Sequence, residues 1–182
     1  MRITISGPPG SGKSTTCRKL SEILGYPQVI FGQIFRKMAA DRGISVAELG
    51  ALAETDPSID REIDTKILKV AKDNEDIVLE SRLSAYLTKI ENIDAFRIYI
   101  HASPDVRMKR ICGREDRLYE QACSETCERE GSEAKRYMQY YGIDVEDLGV
   151  YDLIINTDNL TPDEVIDLII GALNDRNASE RS

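Results

Sequence analysis

The sequence predicts an α/β fold: a five-stranded parallel sheet flanked by helices. Three observations carry that reading. Short runs rich in Ile and Val recur at residues 3–6, 28–31, 77–80, 97–100 and 151–155, and such runs read as buried strands. Helix-like stretches fill the gaps between them, which implies right-handed crossovers and a sheet covered on both faces. Helix-start signals then mark several of those stretches. Ser45 with Glu48 and Thr161 with Glu164 each form a capping-box pattern, and Pro162 takes the first helical position of the second; Ser103-Pro104-Asp105 opens another helix.

Composition bounds the rest. The chain has 182 residues, 41% hydrophobic and 31% charged, which describes one soluble domain. A chain of this length buries roughly 70% of its unfolded surface, enough for a core without disulfides, metal or assembly. It is therefore expected to act as a monomer. A net charge of −8 argues against a nucleic-acid-gripping surface. No run approaches the roughly 20 apolar residues of a membrane span, and the N-terminus enters a strand pattern without a signal-peptide core. A cytoplasmic protein is expected. Cys17, Cys112, Cys123 and Cys127 form no CxxC pair, so they read as reduced thiols packed as small hydrophobes. The lone His101 reads as a strand-end residue. Residues 113–142 are polar, lack a strand pattern and read as a helical insertion projecting from the sheet; residues 174–182 read as a loose tail.

The strongest motif follows the first strand. Gly7, Pro8, Pro9, Gly10, Ser11, Gly12, Lys13, Ser14 and Thr15 satisfy GxxxxGK[ST] in full. Glycines let the backbone curl around phosphate oxygens, and the N–H groups of the loop and of the following helix point at the anion. This makes residues 7–15 the candidate ATP site. Lys13 supplies a cation for the β- and γ-phosphates, and the Ser14 hydroxyl an oxygen for Mg²⁺. The loop does not name the acceptor. No NKxD motif supports a guanine-specific GTPase, and one small domain disfavours a mechanical ATPase.

A second phosphate site is expected from strand-end arginines. Arg36 follows the second strand and Arg82 the third, both at the carboxyl edge where the P-loop opens. Arg129, Glu133 and Arg136 share one helix face, with Glu133 able to space and orient its basic neighbours; Arg107, Arg110 and Arg114 share another. Phosphoryl transfer needs cations at the developing charge and exclusion of water, and a hinged arginine-bearing lid meets both demands.

Taken together, GPPGSGKST, GQIFR, the strand ending in ESR, RE-GSEAKRY, YYGIDVEDL and YDLIINTDNLTPDEV resemble the archaeal type of cytidylate kinase. The resemblance spans nearly the whole chain. It implies the nucleoside monophosphate kinase fold, with a core of residues 1–31, 73–112 and 143–174, an NMP-binding segment at 32–72 and a lid at 113–142. It implies transfer of the ATP γ-phosphoryl to CMP or dCMP, with Mg²⁺. Arg36 and Arg82 match arginines that hold the acceptor phosphate. Arg129 and Arg136 resemble paired lid arginines that bridge both substrates and serve catalysis with Lys13, and Glu133 stands between them on the acceptor side. Bacterial cytidylate kinases follow the arginine matching Arg82 with an aspartate that helps read cytosine. Here that position is Leu83, so base reading must come from elsewhere, and the NMP-binding helices are one source. The adenine site is expected near Asn156, Thr157 and Asp158. AMP, UMP or another small acceptor, and a nucleotide-dependent assembly ATPase, stay as alternatives.

Charge is divided along the chain. Residues 1–136 carry 22 basic and 22 acidic side chains, whereas residues 137–182 carry 2 and 10. The part expected to meet two polyanions is thus neutral overall and arginine-rich.

Overall fold

The computed structural model describes residues 1–115 and 118–179. Its order is β1 (Arg2–Ser6), α1 (Lys13–Leu24), β2 (Gln28–Ile30), α2 (Phe31–Asp41), α3 (Val46–Ala53), α4 (Ser58–Asp73), β3 (Ile77–Glu80), α5 (Ser84–Ile90), β4 (Phe96–His101), α6 (Pro104–Glu115), α7 (Tyr119–Tyr141), β5 (Leu153–Asn156) and α8 (Pro162–Ser179). The five strands lie in the order β2-β3-β1-β4-β5, and every pair is parallel. The expected fold class is the observed one.

Around β1 and β3 the sheet is buried on both faces, and alternate residues point to opposite sides. On β3, Ile77 and Leu79 join one core with Phe31, Leu49 and Ile67 from the helices. Val78 between them joins the other, with Ile3, Ile5, Leu20, Ile98 and Ile169. β1 lies at the centre, and the chain crosses from β3 on one side of it to β4 on the other. Such a reversal opens a crevice at the carboxyl edge, where α/β sheets bind ligands. A smaller cluster of Met108, Ile111 and Ala122 joins α6 to α7.

Several expectations shift in detail. The run at 28–31 ends as a strand at Ile30, whose backbone is extended, and Phe31 starts α2 with its ring buried. An apolar run does not reveal where a strand hands over to a helix. β4 gains a residue at each end, and β5 begins at Leu153 rather than residue 151. Tyr151 instead packs its ring against Tyr86 and Tyr99. Residues 174–179 are not a tail: they continue α8, where Leu173 is buried and Arg176 binds Asp94 at 2.8 Å. Residues 180–182 of the expected tail lie outside the described residues. Both capping boxes form, Glu48 N–H donating to Ser45 Oγ at 3.1 Å and Glu164 N–H to Thr161 Oγ1 at 3.3 Å. Cys17 is fully buried, Cys112 and Cys123 pack beside the smaller cluster, but Cys127 is exposed and does not serve as a packed hydrophobe. None of the four is in a disulfide. His101 ends β4, with its ring stacked on Tyr99.

Two glycines of the loop after β1 are required by close approach. Gly7 has φ +147°, and a Cβ there would fall on the Ile100 carbonyl oxygen; at Gly10, φ +80°, it would lie 2.7 Å from the Arg107 carbonyl oxygen. Gly171 on α8 faces open space. Gly7→Ala should therefore lower the unfolding free energy by well over about 1 kcal/mol. Gly171→Ala should raise it by up to about 1 kcal/mol. Urea denaturation measures both, and equal effects would contradict this account of the loop.

Candidate active site

The loop of residues 7–15 closes one end of a cavity of about 450 Å³ at the carboxyl edge of the sheet. Gly12, at φ +102°, turns the chain into α1, whose N-terminal N–H groups face that cavity. The Ser11 hydroxyl is buried without a partner, as expected of a group placed for a ligand oxygen. Lys13 Nζ donates to the Pro8 carbonyl at 2.8 Å. Burial pushes this ammonium down to about 8, Glu80 opposes the change, and Arg82 and Arg129 reinforce it. An anion beside Lys13 would raise it again.

The cavity floor is β3. Ser14 Oγ donates to Glu80 Oε2 at 3.1 Å, so a hydroxyl and a carboxylate oxygen meet beneath the loop. Glu80 was not among the expected site residues. An acidic residue ending the strand beside β1, paired in register with Ile5, is the signal that would have found it.

Opposite the loop stands α7. Glu133, only 5% exposed, accepts from Arg82 Nε and from Arg129 Nε, both at 2.8 Å. Burial would raise its carboxyl, but Arg129 and Arg82 overcome that and hold it down to about 2. The expected orienting acid thus joins a strand-end arginine to a helix arginine. Arg136 lies one turn further on, donating to Asp60 Oδ2 at 2.8 Å and to Ser132 Oγ at 2.8 Å. Arg36 lines the same cavity. Among the described residues, eight basic side chains and four carboxylates line it, a balance that favours anions inside an acidic protein.

The other arginine stripe divides. Arg107 binds the Pro9 carbonyl at 3.1 Å and Glu130 at 2.7 Å, tying the loop to α7 from outside the cavity. Arg110 and Arg114 line the cavity, and Arg110 donates to Thr157 Oγ1 at 2.9 Å and to its carbonyl at 2.7 Å. Of the three residues expected near adenine, Thr157 lines the cavity. Asn156 and Asp158 are engaged elsewhere, the Asn156 side chain with the Asp158 N–H and the Asp158 carboxylate with the Ser103 N–H.

Two carboxylates of α4 were also unforeseen. Asp60 and Asp64 line the cavity one turn apart and are almost buried. Burial raises Asp60 while Arg136 offsets it. Burial pushes Asp64 up to about 6, against a hydrogen bond from the Tyr141 hydroxyl. Their hint in the sequence is an acidic pair among Ile59, Ile63 and Ile67, at positions the apolar face would otherwise continue.

Glu133→Gln should leave two arginines adjacent without their counter-charge, lowering the unfolding free energy at pH 7 by about 3 kcal/mol. Glu133 titrates lower in the folded chain than its ordinary 4.5. Its stabilisation is therefore complete above pH 4.5 and is lost as pH falls towards 2. Denaturation curves of wild type and variant should converge over that window; a difference that persists unchanged below pH 4.5 would contradict the assignment.

Comparison with known proteins agrees with this geometry. Residues 2–159 match the model of the cytidylate kinase-like family. A protein named cytidylate kinase from Natronomonas pharaonis is 50% identical over 174 residues, covering 96% of this chain and 90% of that one. Another from Sulfurisphaera tokodaii is 42% identical, with 96% of each covered. Shikimate kinase from Aquifex aeolicus is 18% identical, with a TM-score of 0.61 over 97% of this chain and 98% of that one, a likeness of fold alone. With the family match spanning all five strands and most of the residues that line the cavity, the chain belongs to the cytidylate kinase-like family.

Proposed function

We propose that the chain transfers the γ-phosphoryl group of ATP to CMP or dCMP, giving ADP and CDP or dCDP. One observation carries the reading: Glu133 gathers Arg82 and Arg129 in the same cavity as Lys13 of the P-loop. Two polyanions thus find cations facing each other across one space. ATP lies along residues 7–15 with its adenine towards Thr157, Arg110 and Arg114. The acceptor phosphate binds Arg36 and Arg82.

The acceptor oxygen is already anionic at neutral pH, so no general base is needed. It forms a bond to the γ-phosphorus as the bond to the bridging β–γ oxygen breaks, and that oxygen leaves on ADP. Lys13 turns from the Pro8 carbonyl to the donor phosphates. Arg129 exchanges Glu133, and Arg136 exchanges Asp60, for oxygens of the transferring group. Segment 32–72 acts as the acceptor arm and segment 113–142 as the lid; residues 116 and 117 of the lid lie outside the described residues. Closing them excludes water, and positioning and charge then supply the rate.

The hard oxygens of Ser14 and Glu80 suit Mg²⁺, which takes few protein ligands and shares phosphate oxygens. Bound there, Mg²⁺ would neutralise charge on the donor phosphates. A monomer suits this reading, since a chain of this length can bury a core of its own without assembly. Among the described residues no helix is long and apolar enough to cross a membrane, and a cytoplasmic setting suits the nucleotide substrates.

Coupled ADP-release assays with CMP, dCMP, UMP and AMP test the proposal. CMP or dCMP should give the highest kcat/KM, and preference for AMP, or ATP hydrolysis indifferent to acceptor, would overturn it. Lys13→Ala should cut kcat by at least about 100-fold with an unchanged circular-dichroism spectrum.

A further inference from the structure

One carboxylate of the cavity has no part in the proposed transfer. Asp64 is 8% exposed and lines the cavity. Its Oδ2 accepts from the Tyr141 hydroxyl, while Oδ1 has no donor among the described residues. Asp60 differs, since both of its oxygens face Arg136, at 2.8 and 3.4 Å. A carboxylate oxygen that borders a cavity and has no protein donor is free to accept a hydrogen bond from a ligand there.

Its place in the fold says which part of a ligand that is. Two side-chain contacts link α4 to α7 in the same order along both helices, Asp60 with Arg136 and Asp64 with Tyr141. Moving along α7 from Arg129 and its partner Glu133 therefore leads to Asp60 and then to Asp64. An acceptor nucleotide with its phosphate at Arg36 and Arg82 and its base directed towards α4 would bring that base to this end. Phe31, Phe35, Ile63 and Leu83 supply apolar walls in the same cavity, suited to a flat ring.

We propose that Asp64 reads the acceptor base by accepting a hydrogen bond from the exocyclic amino group of cytosine, with Tyr141 fixing the carboxylate. This rests on the function proposed above and names the specificity element of that site. An ionised carboxylate only accepts. The cytosine amino group donates, whereas uracil presents a carbonyl oxygen at that position and meets repulsion. A site built around such a bond rejects the analogue that lacks it.

The test is steady-state kinetics of the full chain with CMP, UMP and the ribonucleoside monophosphate of 2-pyrimidinone, which is cytosine without its amino group. Wild type should prefer CMP to this analogue by about 10- to 100-fold in kcat/KM. In Asp64→Asn that ratio should fall close to one, mainly through a higher KM for CMP, while kcat/KM for UMP holds or rises. Equal use of CMP and the analogue by wild type would overturn the proposal, and that comparison needs no variant to fold. So would an Asp64→Asn enzyme whose preference is unchanged, or one that loses CMP, UMP and the analogue alike. Failure of wild type to phosphorylate CMP at all would instead overturn the function beneath the proposal, and the proposal with it.

Discussion

The buried contact of Glu133 with Arg82 and Arg129 is the constraint on which the site depends. A carboxylate at 5% exposure persists in charged form only because two guanidiniums surround it. Arg82 follows β3 in the core, and Arg129 and Glu133 belong to α7. The triad therefore fixes where a long helix crosses the open edge of the sheet. Other ties from the same helix repeat the device: Arg107 of α6 to Glu130, Asp60 of α4 to Arg136, and Glu54 beyond α3 to Lys135. Each joins α7 to a different element through charge, beside the apolar contacts that Ala122 and Tyr137 of the same helix make.

Such a joint suits a phosphotransferase. An arginine held by a carboxylate can exchange it for a phosphate with charge compensated throughout. Guanidiniums stay charged whichever partner they hold. Lys13 is different. Burial without an anion weakens its charge, so donor binding and lysine protonation reinforce each other. The chain's net negative charge does not conflict with this chemistry, because the cations are concentrated in the cavity and the acidic excess lies beyond residue 136.

Local features were legible in the sequence. The P-loop was, because phosphate geometry requires its glycines, lysine and hydroxyl at fixed intervals. The strands were, because a sheet buried on both faces demands continuous apolar runs; and the capping boxes were, because both partners lie within one turn. Arg36, Arg82, Arg129, Glu133 and Arg136 were found by their place at strand ends and on one helix face, and the structure brings them to one cavity. Partnerships across long separations were hidden. Glu80 meets Ser14 across 66 positions, Asp60 meets Arg136 across 76 and Asp64 meets Tyr141 across 77. No periodicity distinguishes Arg107, which braces the loop, from Arg110, which faces the cavity, since they share a stripe and differ only in what packs above them.

A single compound joining adenosine and cytidine through a chain of five phosphates tests most directly the claim that donor and acceptor sites face each other in one cavity. Isothermal titration should show one compound bound per chain, far more tightly than ATP or CMP alone and displaced by either nucleotide. Binding no tighter than ATP, or displacement by ATP but not by CMP, would contradict it.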